Sequence, residues 1–274
     1  MINILHTYLP EPTIFSLGFI TLRWYGLFIV LGIITALYVS FYLGKKYFDV
    51  DKETIIDLAF WLIIIGIIGA RIYDVFLQLP YYLEHPFQAL QIWKGGLAIH
   101  GAIIAGLITI YIFSKKRKIY FFKLTSLIVP GLVLGQAIGR FGNYFNQELF
   151  GLPTNLPWGI PINFINRPLE YINEIYFHPT FLYESLGSLL IFIVLFFIYN
   201  FTFKRAKFSN YFFVWSTSLY MILYSILRFS LEYLRIDQTP DFLEMRWPQV
   251  ISLIIIFISI LVISTYTHVK KKSE

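Results

Sequence analysis

Four arginines stand where arginine is costly. Arg71, Arg140 and Arg228 fall within long apolar stretches, and Arg23 lies just within another. Asp74, His100, Glu184 and Glu232 also fall within apolar stretches. An ionisable group in the bilayer interior costs several kcal/mol, so such groups pair with one another or face a cavity. A guanidinium offers five N–H donors in a rigid fork that matches carboxylate and phosphate. A histidine takes or gives a proton near neutral pH. Together these residue types could bind an anion and move a proton beside it.

Two motifs sharpen this. The first runs Gly139-Arg140-Phe141-Gly142-Asn143-Tyr144-Phe145-Asn146-Gln147-Glu148-Leu149-Phe150-Gly151. Arg140, Asn143 and Asn146 or Gln147 recur every three to four residues, which is one helical face. Upstream, Gly131, Gly135 and Gly139 repeat every four residues, a spacing that lets a neighbouring helix approach closely. The second motif is Arg228-Phe229-Ser230-Leu231-Glu232-Tyr233-Leu234-Arg235. Spacings of four and seven predict all three charges on one face, with two guanidinium groups held by one carboxylate as a fixed anion site. Simple neutralisation along the helix competes with that reading, for Arg228 with Glu232 and for Arg71 with Asp74. His100 stands in Gly95-Gly96-Leu97-Ala98-Ile99-His100-Gly101, where glycines permit close backbone approach.

These groups need elements to hold them, and the composition names the solvent. Of 274 residues, 57% are hydrophobic and only 14% charged, against about 25% charged in a soluble domain. That excludes disorder, an ordinary soluble enzyme and nucleic-acid binding as the main business. With no cysteine, disulfides, cysteine-ligated metal and a cysteine nucleophile are excluded too. Stretches of about 20 apolar residues cross a bilayer as helices. Seven qualify, at 19–43, 54–79, 96–114, 124–146, 179–201, 210–233 and 248–268. The expected fold is an all-α integral membrane protein: a bundle of seven transmembrane helices in one domain, 1–274, with residues 147–178 as a small extracytoplasmic head.

The connections alternate in charge. Lys45, Lys46 and Lys52 follow span one; Lys115, Lys116, Arg117, Lys118 and Lys123 follow span three. Lys204, Arg205 and Lys207 follow span five, and Lys270, Lys271 and Lys272 follow span seven. The positive-inside rule makes that side cytoplasmic, with the N-terminus outside and the C-terminus inside. At 1.5 Å per residue, Arg71, Arg140 and Arg228 then lie late in outward-running helices, and His100 and Glu184 early in inward-running ones. Arg23 and Tyr25 open the first. All fall in the outer half of the membrane, which predicts one polar cavity facing the outer leaflet.

On these residues the chain resembles the prolipoprotein diacylglyceryl transferase family. The family signature G-R-x-G-N-F-x-N-x-E-x-x-G is similar to Gly139–Gly151, with Tyr144 where Phe is usual. The resemblance extends to Trp24-Tyr25-Gly26, Gly69-Ala70-Arg71, the His100 segment, His178-Pro179 with Tyr183-Glu184, and the Arg228/Glu232/Arg235 run. His100-Gly101-Ala102 departs from the family's usual His-Gly-Gly by one small residue.

The resemblance implies transfer of the diacylglyceryl group of phosphatidylglycerol to the lipobox cysteine in the signal peptide of a prolipoprotein, in the inner membrane of a bacterium. A thioether forms and glycerol phosphate leaves. It implies membrane lipids as surroundings and no metal or nucleotide cofactor. Under it, His100 fits a general base for the thiol or an orienter of it. Arg140 and Arg228 fit a clamp on the phosphate, where charge builds as it leaves. Asn143 and Asn146 would add donors to the phosphate or the glycerol headgroup. Glu148 and Glu232 would orient those groups, Tyr25 would meet substrate near the entrance, and Arg71 and Arg235 would complete the binding set.

Other classes predict other patterns. An outward-facing anion or lipid transporter would need polar groups through the inner half of the spans as well, and these are missing. An intramembrane aspartyl protease would need a second aspartate motif beside Tyr73-Asp74, and none is present.

Overall fold

The structure is a computed structural model, and it describes residues 2–18, 20–205 and 208–273. Phe19, the expected start of span one, and Lys207 of the basic set lie outside the described residues. Among the described residues, seven helices are long and apolar enough to cross a membrane. They run Trp24–Phe48, Lys52–Leu77, Ile99–Arg117, Phe121–Asn146, Thr180–Phe203, Asn210–Glu232 and Trp247–His268.

A short helix α1 (Ile2–Thr7) comes first, followed by an antiparallel hairpin of β1 (Thr13–Leu17) and β2 (Ile20–Arg23). Helix α2 (Trp24–Leu43) begins directly after it. Arg23 therefore belongs to a strand, paired with Thr13, and not to the first span as expected. Apolar residues that alternate in a short ribbon are hard to tell from the first turn of a span. A π-helical turn, Gly44–Phe48, then carries the first span beyond its expected end.

The chain divides into two compact units, residues 40–127 and residues 1–39 with 128–274. In the first, α3 (Lys52–Leu77) packs most extensively on α5 (Ile99–Arg117). Asp51 starts α3 by accepting the Thr54 amide at 2.6 Å and its hydroxyl at 2.8 Å, which satisfies an orphan helix donor. The same two donors hold the Asp51 carboxyl below its ordinary pKa. Between α3 and α5 lie α4 (Leu79–Glu84) and two 3₁₀ turns, Pro86–Leu90 and Ile92–Lys94. At the crossing of α3 and α5, a Cβ on Gly69 would stand 2.8 Å from the Gly101 carbonyl oxygen. Backbone meets backbone there.

In the second unit, α6 (Phe121–Asn146) packs on α2 through glycine. A Cβ on Gly135 would sit 3.0 Å from the Gly32 carbonyl, and one on Gly131 would sit 2.6 Å from that of Ala36. Gly139, the third member of the repeat, meets nothing within 4 Å. The close approach moves instead to Gly142, whose Cβ would strike the Tyr25 ring at 2.7 Å. Helices α7 (Thr180–Arg205), α8 (Asn210–Glu232) and α9 (Trp247–Ser273) complete this unit.

Residues 147–178 fold on a small core. Phe150, Ile160, Ile162 and Phe177 bury with Tyr144 and Phe181 from the flanking helices. Strands β3 (Ile160–Pro161) and β4 (Tyr176–Phe177) pair across it. A last hairpin, β5 (Asp241–Phe242) with β6 (Met245–Arg246), leads into α9.

Candidate active site

The second unit gathers the charges into one network. α6 ends at Asn146 and delivers Arg140 and Asn143 one turn apart. An Arg140 Nη1 donates to Asn143 Oδ1 at 3.3 Å, and Asn143 Nδ2 donates to Glu148 Oε1 at 2.7 Å. Asn146 Nδ2 reaches the same oxygen at 3.4 Å. The chain can bring Glu148 back because Gln147 and Leu149 both take left-handed backbone, with φ of 52° and 57°. Gln147 itself turns away: it donates to the Pro10 carbonyl at 2.6 Å and accepts the Asn163 amide at 2.6 Å. It holds the loop together, and of the two residues left open for the polar face only Asn146 joins it.

On its other side Arg140 pairs with Glu184 near the start of α7. Glu184 is 3% exposed, and its second oxygen takes an Arg235 N–H at 3.2 Å. Arg235 then grips Asp237 through Nε and Nη2, both at 2.7 Å. At the end of α8, Arg228 pairs with Glu232, which is 1% exposed. The other Glu232 oxygen meets Arg246 Nε at 3.3 Å. Arg246 also donates to the carbonyls of Glu232 at 3.1 Å and Arg235 at 2.5 Å, which joins the two clusters.

This corrects the expected geometry of the second motif. Arg228 and Glu232 do pair four residues apart, but Arg235 is not held by Glu232. Helix α8 ends at Glu232, so the seven-residue spacing no longer means a shared face. Arg246, fourteen residues beyond Glu232, takes the vacated place.

Four arginines thus face four carboxylates, each arginine beside at least one of them. Buried charges persist when paired in this way, although Arg228 Nη1 and both Glu232 oxygens have ion-pair neighbours and no formed hydrogen bond. The arginines are not equally enclosed. Arg235 is 6% exposed in its side chain, whereas Arg140 and Arg228 keep 23% and 21%. Arg246 keeps 21% as well; Arg140 and Arg228 are each neutralised by one buried carboxylate and keep part of the side chain exposed. Tyr25 stands within electrostatic reach of Arg140 and Glu148.

Besides Arg246, two members escape the spacing argument. Tyr224 stands within electrostatic reach of Arg140 and stacks on Tyr220 with ring centres 5.9 Å apart. The signal was available, since Tyr220, Tyr224, Arg228 and Glu232 recur every four residues along α8. Asp237 carried no signal, because it lies in a loop and meets Arg235 only through the fold.

Gly151, which closes the signature, is wedged between two strands of backbone. Its amide donates to the His178 carbonyl at 2.9 Å, and the Leu152 amide donates to the Leu234 carbonyl at 2.7 Å. A Cβ there would lie 2.7 Å from the Leu234 oxygen. His178 Nδ1 contacts the Tyr183 hydroxyl at 3.1 Å, and that hydroxyl accepts the Trp158 indole N–H at 2.8 Å. A hydroxyl has one proton and two acceptor lone pairs, so after accepting from Trp158 it can either donate to His178 or accept from it, as the histidine tautomer decides. Burial lowers the His178 pKa.

Arg71 and His100 belong to the first unit. His100 is exposed, on the first turn of α5, with its ring 5.9 Å from that of Tyr73. Arg71 is 7% exposed and donates to carbonyls of the segment between α4 and α5. Asp74 accepts from Tyr82 at 3.0 Å and from Gln78 at 3.1 Å. No group of three or more His, Asp or Glu able to hold a metal occurs among the described residues.

Residues 12–265 match the model of a family described as prolipoprotein diacylglyceryl transferase. A phosphatidylglycerol–prolipoprotein diacylglyceryl transferase of Acaryochloris marina is 44% identical over 264 residues, 96% of this chain and 93% of its own. A protein of the same name from Thermosynechococcus vestitus is 42% identical, covering 90% and 89%. One from Synechococcus elongatus is 40% identical, covering 92% and 86%.

Proposed function

The chain belongs to the prolipoprotein diacylglyceryl transferase family, and from that membership we propose how its arginine network works. The protein is a multi-pass membrane transferase that moves the diacylglyceryl group of phosphatidylglycerol to prolipoproteins, the first step of lipoprotein lipidation. A transport reading has no support beside it.

The acceptor atom is the thiol of the lipobox cysteine in the signal peptide. A thiol with a pKa of about 8.5 is a poor nucleophile until it loses its proton. The proton passes to His100, or His100 orients the thiol while solvent takes it. The sulfur then attacks the glyceryl carbon that carries the phosphate. The S–C bond forms, the C–O bond breaks, and its electron pair leaves with glycerol phosphate. Negative charge grows on the phosphate as the bond breaks. Arg140 and Arg228 meet it with their open edges, while Glu184, Glu232 and Tyr224 fix their planes in advance. Donors held ready where charge develops are the strongest source of rate enhancement.

Asn143 and Asn146, oriented by Glu148, bind the headgroup beside Arg140, and Tyr25 meets the lipid near the same edge. Arg235 is enclosed by Glu184 and Asp237, so it supports Arg140 through their shared carboxylate. The basic clusters after α2, α5, α7 and α9 support a cytoplasmic C-terminus, an outside N-terminus and a site in the outer leaflet of a bacterial inner membrane. We read 1–274 as one membrane domain with 147–178 as its extracytoplasmic head.

The observation that supports this reading is the pair of arginines held by the buried Glu184 and Glu232 while 23% and 21% of their side chains stay exposed. Purified protein in phosphatidylglycerol vesicles, given a lipobox peptide, should add the mass of one diacylglyceryl group to the cysteine form and nothing to its serine form. An unmodified cysteine peptide would overturn the reading.

A further inference from the structure

Arg71 is surrounded by backbone. Its Nε donates to the Ala89 carbonyl at 2.9 Å and one Nη2 hydrogen goes to Gln88 at 2.6 Å. Both Nη1 hydrogens go to Gly95 and Gly96, each at 2.8 Å, with Asp74 Oδ2 further off at 3.4 Å. Four of its five N–H donors are thereby spent on the carbonyls of residues 88–96. The face of the guanidinium lies 5.1 Å from the Tyr82 ring centre. A side chain so enclosed has little left to offer a phosphate.

We infer that Arg71 is a positioning residue for His100, which it sets in place by tying the 88–96 segment into a knot just ahead of α5. This rests on the reading of His100 given above. The knot dictates where α5 begins. Gly95 and Gly96 turn through φ of 95° and 73°, a left-handed course that glycine follows without strain. A Cβ on Gly96 would stand 2.3 Å from an Arg71 Nη1 and 2.5 Å from Asp74 Oδ2, so the glycine also leaves room for the guanidinium. The Ala98 amide then bonds back to the Ala70 carbonyl at 3.1 Å. His100 follows two residues later, beside the backbone crossing of Gly69 and Gly101. Lysine cannot replace arginine here, because a single ammonium cannot span four carbonyls set around a planar fork.

The test compares the wild type with Arg71→Lys, Gly96→Ala and the double variant in phosphatidylglycerol vesicles. It reads kcat, KM and amide hydrogen exchange, with thermal melting to show that the helices remain folded. A misplacement of about 1 Å can cost about a hundredfold in rate, so Arg71→Lys should lower kcat by about that factor. KM for phosphatidylglycerol should stay within about twofold, as for a residue that does not bind it. Exchange over residues 86–101 should rise. Gly96→Ala keeps Arg71 but displaces its Nη1, and should act in the same direction. The double variant should be no worse than the poorer single one, because both break the same knot. A KM increase at unchanged kcat would make Arg71 a substrate ligand and overturn the inference, as would multiplying losses or unaltered exchange. If the wild type itself leaves the peptide unmodified, the transfer reading fails, and the exchange data still judge the knot.

Discussion

Arg71 and Arg140 look alike in sequence. Each falls late in an apolar helix, and each has a polar residue three positions on. Their surroundings differ in kind. Arg71 spends four donors on neutral carbonyls, has the buried Asp74 carboxylate only at 3.4 Å, and is enclosed, with a side chain 9% exposed. Arg140 pairs with a buried carboxylate and keeps 23% of its side chain open. The first arrangement consumes the guanidinium to shape a loop. The second cancels part of a charge while aiming the rest. Depth in a membrane span says only that an arginine must be partnered; the chemistry of the partner says what the arginine is for.

Substitutions can break or sharpen that contrast. The largest effect is expected at the open pair. Arg140→Ala and Arg228→Ala should each lower kcat by about a hundredfold to a thousandfold, as when a prepared donor to a developing anion is removed. Each also leaves a buried carboxylate short of a partner, so melting should fall as well. Rates in phosphatidylglycerol vesicles, measured where the variant is still folded, check the kcat loss. Next comes Glu184→Gln, which leaves Arg140 and Arg235 with less than their countercharge. Breaking a buried pair costs about 3–5 kcal/mol, so both melting temperature and rate should fall.

Gly151→Ala should cost about 1–3 kcal/mol, because its Cβ would collide with the Leu234 carbonyl and overpacking falls in that range. Denaturation in detergent measures it. Smallest is a pH effect at His178. Its folded pKa lies below the ordinary 6.5 through burial, so the folded state binds fewer protons than the unfolded one. Stability is then full above pH 6.5 and declines as pH falls from there toward the lowered folded value. His178→Gln should flatten that part of the melting curve.

Much of this was legible in the residues. The spans followed from apolar length, because a bilayer leaves the backbone no choice but helix. Observed ends fall within a few residues of the expected ones, apart from the first, where Thr13–Leu17 and Ile20–Arg23 form a ribbon too short to betray itself. Arg140, Asn143 and Asn146 assembled as their spacing suggested, since that polar face stays on one helix; Glu148 joined them through the left-handed turn just beyond it. The spacing argument failed where the helix stops. Arg235 lies beyond the end of α8, and its partners Glu184 and Asp237 meet it only through tertiary folding. Arg246 reached Glu232 for the same reason. Gln147 fitted the face by number but left it, because left-handed backbone at its own position turned it toward Pro10. Arg71 was expected in the binding set or paired with Asp74; it is buried with Asp74 at 3.4 Å, and nothing in the sequence marks backbone carbonyls as its other partners.

The central claim is that Arg140 and Arg228 hold the phosphate while the carbon–oxygen bond breaks. The most direct measurement is single-turnover release of glycerol phosphate from phosphatidylglycerol, with a saturating lipobox peptide, by the wild type and by the Arg140→Ala/Arg228→Ala double variant. The account predicts rapid release in step with peptide modification by the wild type. It predicts release no faster than without enzyme from a double variant that still melts as a folded protein. Release by that folded variant at the wild-type rate would contradict it.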